Sequence, residues 1–130
     1  PRGHEIKDLV NKIKRRQNFR PFAPVILEEY THEYFEMPRS WEKSPYMQVT
    51  AVCLRPNEFP AIIHHDGTSR VQTVAPDCKS GIRQLLEKWF VMTGCPMLLN
   101  TSLNIRGEPM VNDKLDAKRF EELYGVKVFT

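Results

Sequence analysis

Ser80-Gly81-Ile82-Arg83-Gln84-Leu85-Leu86-Glu87-Lys88-Trp89-Phe90-Val91-Met92-Thr93-Gly94 runs directly into Cys95-Pro96-Met97-Leu98-Leu99-Asn100-Thr101-Ser102. Ile82, Leu85, Leu86, Trp89 and Phe90 form one apolar stripe at helical spacing, and Gly94 can close the helix in the left-handed conformation. The spacing therefore predicts a helix over 80–94. Pro96 to Leu99 is an apolar run too short for a helix, and reads as a buried strand that ends in small amides and hydroxyls. A helix handing over to a buried strand places the chain in the α/β or α+β class.

Downstream, Asp113 to Tyr124 reads as a last helix closed by Gly125, and Val126 to Phe129 as a terminal strand. Upstream, Asp66-Gly67 is a turn from which Thr68 to Val74 is expected to pair back as a hairpin on Ala61-Ile62-Ile63. Tyr46 to Leu54 is rich in β-formers and predicts another strand. Thr31 to Pro45 mixes aromatics with Pro38, Ser40 and Pro45, which predicts a surface loop able to act as a flap. Val25-Ile26-Leu27 is a short strand. Before it, Pro21 and Pro24 force an extended connection. Ile6, Leu9, Val10 and Ile13 mark one face of an amphipathic first helix ending near Arg16.

At 130 residues, with 41% hydrophobic and 27% charged residues, one folded domain spanning 1–130 is expected. No apolar run approaches the ~20 residues that cross a bilayer, and the first residues lack the regions of a signal peptide, so a cytoplasmic protein is expected. Cys53, Cys78 and Cys95 contain no C-x-x-C pair and read as reduced, structural thiols. A net charge of +3 is too small to argue for nucleic acid.

Three constellations could carry chemistry. Lys12, Lys14, Arg15, Arg16 and Arg20 place five cations within nine residues at and beyond the end of the first helix. A solvated cationic end that complements the helix dipole is the bland account. Arg20, however, lies between Phe19 and Pro21, and a stiffly held guanidinium offers forked donors to phosphate or carboxylate at low entropic cost. Asn100 to Asn104 lies beyond a strand end, where open α/β sheets tend to place ligands; a turn that caps its own backbone fits equally well. In His64-His65-Asp66-Gly67-Thr68-Ser69-Arg70, neighbouring histidines on a strand point to opposite faces, so a shared metal is not expected. A turn positioning Arg70 for an anion and an ordinary surface turn both remain. Cys53 has no activating neighbour, and neither a G-x-S-x-G elbow nor a Walker loop occurs. Catalysis by positioning and charge stabilisation is expected instead of covalent attack.

Lys12 to Pro24, His64 to Val74 and Leu98 to Pro109, taken in that order, closely resemble the C-terminal region of carbamoyltransferases related to the nodulation protein NodU and to antibiotic O-carbamoyltransferases. The resemblance implies a YrdC-like twisted mixed sheet with packed helices, and a domain that converts carbamoyl phosphate and ATP into carbamoyl-adenylate. It implies as partner an N-terminal Kae1-like domain, which holds a metal and passes the carbamoyl group to an acceptor hydroxyl; this chain is then a fragment that lacks it. By matching motif positions, Lys14 and Arg20 would bind phosphate and carbamoyl oxygens and Arg70 would support the same anions. Asn100 and Ser102 would contact the nucleotide or carbamoyl group, with Arg16 and Asn104 as further binding residues. ATP is implied as a substrate and no metal is expected in this domain. The chain departs from the family at its ending and at Gln17, where members often carry Glu. Standalone YrdC-like proteins that act in tRNA modification supply the alternative, a nucleotide- or RNA-binding module.

Overall fold

The computed structural model describes residues 1–129. Among these residues are four helices, α1 (His4–Ile13), α2 (Thr31–Tyr34), α3 (Gly81–Thr93) and α4 (Lys114–Tyr124), and six strands, β1 (Ala23–Leu27), β2 (Phe35–Glu36), β3 (Thr50–Cys53), β4 (Thr68–Arg70), β5 (Gln72–Val74) and β6 (Met97–Asn100), with β2 to β5 following one another between α2 and α3. The α/β class read from the sequence holds. The strands divide into two three-stranded sheets, a mixed one ordered β5-β1-β6 and an antiparallel one ordered β2-β3-β4. In the mixed sheet β1 runs parallel to β5 and antiparallel to β6, with Ala23 opposite Asn100.

Every residue of β1 is buried, because both of its faces are covered. Val25 and Leu27 join Val74 and pack on Leu86 of α3. Ile26 and Met97 turn the other way, into a core with Phe35, Ala51, Cys53, Phe59 and Ile62 beneath the second sheet. The order of layers is therefore helix, mixed sheet, antiparallel sheet. Arg83 of α3 fixes this stack from the side. Its guanidinium donates in fork fashion to both carboxylate oxygens of Glu29, at 2.6 and 2.9 Å, while its Nε donates to Glu87 at 2.7 Å.

The helix over 80–94 forms as expected, with Ser80 as N-cap and Gly94 left-handed at φ 65°. The last helix also forms, its first turn capped by Asp113 Oδ1, which accepts from the amides of Leu115 and Asp116, each at 2.9 Å.

Other expectations need correction. The first helix stops at Ile13, short of Arg16, because Arg15 turns left-handed at φ 54° and the Arg16 amide reaches back to the Asn11 carbonyl at 2.9 Å. Thr31 to Pro45 is not a loop throughout: Tyr34 and Phe35 enter the core through α2 and β2, and Ser44 is locked to Thr73 by two hydrogen bonds of 2.9 and 3.0 Å. Only Thr50–Cys53 of the Tyr46–Leu54 run is a strand. Before it, Gln48 spends its side chain and amide on Tyr46 and Ser44, contacts that compete with a ladder. Ala61 and Ile62 lie in a 3-10 turn started by Pro60, whose fixed φ and missing N–H suit the first helical position. Thr68 to Val74 does not pair back on 61–63. It changes sheets at fully buried Val71, sending β4 to β3 and β5 to β1. Val126 to Phe129 has no strand partner among the described residues and stays irregular.

Among the described residues no helix is long and apolar enough to cross a membrane. Ile26 sits at the centre of the stack with no exposed surface. Replacing it with Ala should cost about 2–5 kcal/mol through lost transfer energy and the cavity left behind. Denaturant unfolding of Ile26→Ala against the parent chain measures this, and a loss below about 1 kcal/mol would mean that the two layers do not pack on β1.

Candidate functional site

One end of the mixed sheet, where β6 exits and β1 enters, opens into a cavity of about 410 Å³. The seven residues to which the resemblance assigns roles all line it, Lys14, Arg16, Arg20, Arg70, Asn100, Ser102 and Asn104, whereas Lys12 and Arg15 of the same cationic run do not. They arrive from separate elements. The turn after α1 carries Lys14, Arg16 and Arg20, the last residue of β4 is Arg70, the last residue of β6 is Asn100, and the segment leaving β6 brings Ser102 and Asn104.

Lys14 is 7% exposed, and its ammonium donates to the main-chain carbonyl of Ser102, the carbonyl of Asn104 at 2.8 Å and Asn104 Oδ1 at 3.1 Å. Its three protons are thus committed to shaping the 102–104 turn, and what it presents to the cavity is charge. Ser102 Oγ donates to Asn104 Oδ1 at 2.6 Å, and Asn104 Nδ2 donates to the Glu108 carbonyl at 3.0 Å. The Asn100 amide donates to Gln72 Oε1 of β5, which ties the segment to the sheet it leaves.

Arg16 lies over the Phe22 ring, 4.6 Å from its centroid, and donates to the Pro21 carbonyl at 3.4 Å. Its Nε is buried without a hydrogen-bond partner. Arg20 and Arg70 are exposed at the rim. Arg106, not singled out in the sequence reading, adds a fifth cation, and its amide donates to the Lys14 carbonyl at 3.1 Å. The signal that could have found it is the inward Ile105 just before it, which turns the next side chain outward. Met47 also lines the cavity; nothing in the sequence marked it, since it arrives through a left-handed backbone at φ 57°.

No Asp or Glu lines this cavity, and none of its five cations makes a salt bridge among the described residues. The electrostatics follow. Burial first, and Arg16 second, hold the Lys14 ammonium below its ordinary value; burial and then Arg20 lower Arg16. Cations crowded without counter-charge disfavour their own protonated forms, and an incoming anion relieves that cost.

His64 and His65 are exposed and border an adjoining hollow of about 360 Å³ that shares Arg16, Arg20 and Arg70 with the first. Among the described residues no three His, Cys, Asp or Glu side chains group in a way that could hold a metal ion. Cys53, Cys78 and Cys95 are free thiols, and burial pushes Cys53 up, away from reactivity.

Residues 1–129 match the family described as Carbamoyltransferase C-terminus. The chain is 39% identical to nodulation protein NolNO of Sinorhizobium fredii over 90% of its own length and 18% of that protein's. It is 39% identical to nodulation protein NolO of Bradyrhizobium diazoefficiens over 90% of its length and 22% of that protein's. With nodulation protein U of Rhizobium tropici the identity is 34%, over 84% of this chain and 19% of the relative. The chain thus spans about a fifth of the length of these relatives.

The buried ammonium makes a signed prediction. Because the folded pKa of Lys14 lies below 10.5, the unfolded chain binds more protons in the window just under that value, so this group's contribution to stability rises with pH there. The stability difference between the parent chain and Lys14→Met, measured by urea unfolding, should be flat at neutral pH and move in the parent's favour as pH climbs into that window. A difference that moves the other way would mean that Lys14 is held in its charged form.

Proposed function

This chain belongs to the carbamoyltransferase C-terminal family, and from that premise we propose that its cationic cavity binds carbamoyl phosphate and ATP for the formation of carbamoyl-adenylate. The single observation that carries the reading is the convergence of Lys14, Arg16, Arg20, Arg70 and Arg106 on one hollow without a carboxylate among its lining residues. Carbamoyl phosphate, the inorganic phosphate released when water cleaves it to carbamate, ATP, and the pyrophosphate displaced when a carbamate oxygen attacks the α-phosphorus are all anions, and the hollow suits each of them electrostatically.

The residue roles follow from position. Arg20 and Arg70 at the rim present forked donors to phosphate oxygens, and Arg16 adds positive charge from the wall. Lys14 holds the turn of Ser102 and Asn104 in shape while adding charge behind it. Asn100, Ser102 and Asn104 supply the short polar groups that tell a carbamoyl group or a nucleotide from simple phosphate. The chemistry is stabilisation of charge on a transferring group by donors already in place, with no nucleophile from the protein. A Kae1-like domain elsewhere in the longer protein would receive the activated carbamoyl group and pass it to an acceptor hydroxyl.

Calorimetric titration with ATP and with carbamoyl phosphate tests this directly. Both should bind in the micromolar to millimolar range, and Arg20→Ala should weaken each by roughly tenfold to a hundredfold, the value of a hydrogen bond to a charged group. Binding of neither anion at millimolar concentration would overturn the assignment. Affinity for RNA that collapses with added salt, unaccompanied by competition from either small anion, would point to a nucleic-acid module instead.

A further inference from the structure

The one residue of α1 that is fully buried is not part of its apolar stripe but a polar side chain, Asn11. Leu9, on the expected apolar face, is 54% exposed. A buried amide is costly unless its hydrogen bonds are met, so its presence calls for a reason. The reason lies in what its nitrogen touches. Asn11 Nδ2 donates to the carbonyl of Asn18 at 3.4 Å and to that of Arg20 at 3.2 Å. The main-chain carbonyl of the same residue accepts the Arg16 amide at 2.9 Å in the bond that ends the helix.

We infer that Asn11 is the positioning residue of the anion site: one side chain, seated in the helix, sets the path of residues 14–20 and so aims Arg16 and Arg20 into the cavity. The inference rests on the anion reading above. It adds a residue that lines no part of the cavity. Residues 15–20 form no helix or strand, and Arg15 is held left-handed, a conformation that costs about 1–2 kcal/mol for a side chain other than glycine. Such a backbone persists only where its surroundings over-determine it, and Asn11 grips it at two carbonyls and a third bond. The second acceptor, Oδ1, is buried without a partner, so the amide is held by its donors alone.

Leucine shares the branched skeleton of asparagine, with two bulkier methyl groups in place of the amide oxygen and nitrogen, so Asn11→Leu removes the donor and leaves no cavity. In Asn11→Leu, amides in 15–20 should exchange with deuterium at least about tenfold faster than in the parent chain, the equivalent of one lost net hydrogen bond, while α3 and β1 keep parent protection. Affinity for carbamoyl phosphate should fall by a similar factor. Unchanged exchange in 15–20 would overturn the proposal whatever happens to binding. If that exchange rises but affinity stays at the parent value while Arg20→Ala loses it, Asn11 orders the turn without serving the site, and the proposal fails while the anion reading stands. If the parent chain binds neither anion, the anion reading fails and the positioning role falls with it. Should the leucine variant not fold, the unmodified chain still decides. By 15N NMR the Asn11 side-chain amide should exchange far more slowly than that of exposed Asn57 and shift on saturation with inorganic phosphate; an amide as labile as Asn57's, or one that phosphate leaves in place, would reject the role.

Discussion

The contact on which the molecule most depends is the Lys14 ammonium seated among the carbonyls and amide oxygen of Ser102 and Asn104, across 88 residues of sequence. It joins the turn after α1 to the segment leaving β6, and the return bond from the Arg106 amide to the Lys14 carbonyl closes the same seam from the other side. Without that seam the end of the sheet would be two loose strands of chain. With it, the cations of one segment face the polar groups of the other at fixed separation. A charged side chain is an expensive fastener, since burial opposes its protonated form. A neutral donor could tie the same carbonyls; the ammonium in addition contributes positive charge to the cavity wall.

The layers explain why this end of the sheet was available. β1 is covered by α3 on one face and by the antiparallel sheet on the other, leaving only its ends free. At one end, Leu27 runs straight into the short turn Glu28–Tyr30 and α2. At the other, Ala23 lies opposite Asn100, and the chain on both sides of that pair is irregular. Arg70 reaches the same place because the chain changes sheets one residue later, at Val71, so that a rim residue of the antiparallel sheet borders the mouth of the mixed one. The cavity lies beside the point where the chain crosses from one sheet to the other.

Much of this was legible in the sequence, for physical reasons that differ by residue. The helix over 80–94 was readable because its stripe and its terminal glycine agree. Arg20 stood out through the stiffness of Phe19 and Pro21, and the 100–104 segment through its place after a buried strand. What was not legible came from tertiary context. Asn11 breaks the apolar periodicity of α1 and is nevertheless its buried residue, since the neighbour it meets is a stretch of carbonyls and not a hydrophobic core. Ala61 to Ile63 had strand composition, but Pro60 decided the local geometry. The division of 68–74 between two sheets cannot be seen in a run that alternates well throughout, because alternation reports which side is buried and not which partner strand is adjacent.

The gathering of cations into one hollow also governs how the molecule looks from afar. Of 19 lysines and arginines five line the cavity, leaving 14 on the rest of the chain against 16 aspartates and glutamates. The formal charge of +3 is therefore a property of the hollow, and the remainder is slightly acidic. A small anion is drawn to the mouth, whereas a long polyanion laid along the outer face meets as much repulsion as attraction. A dianion in the hollow would bring the formal charge from +3 to +1 and a tetra-anion would bring it to −1, so either guest would weaken the field that draws the next.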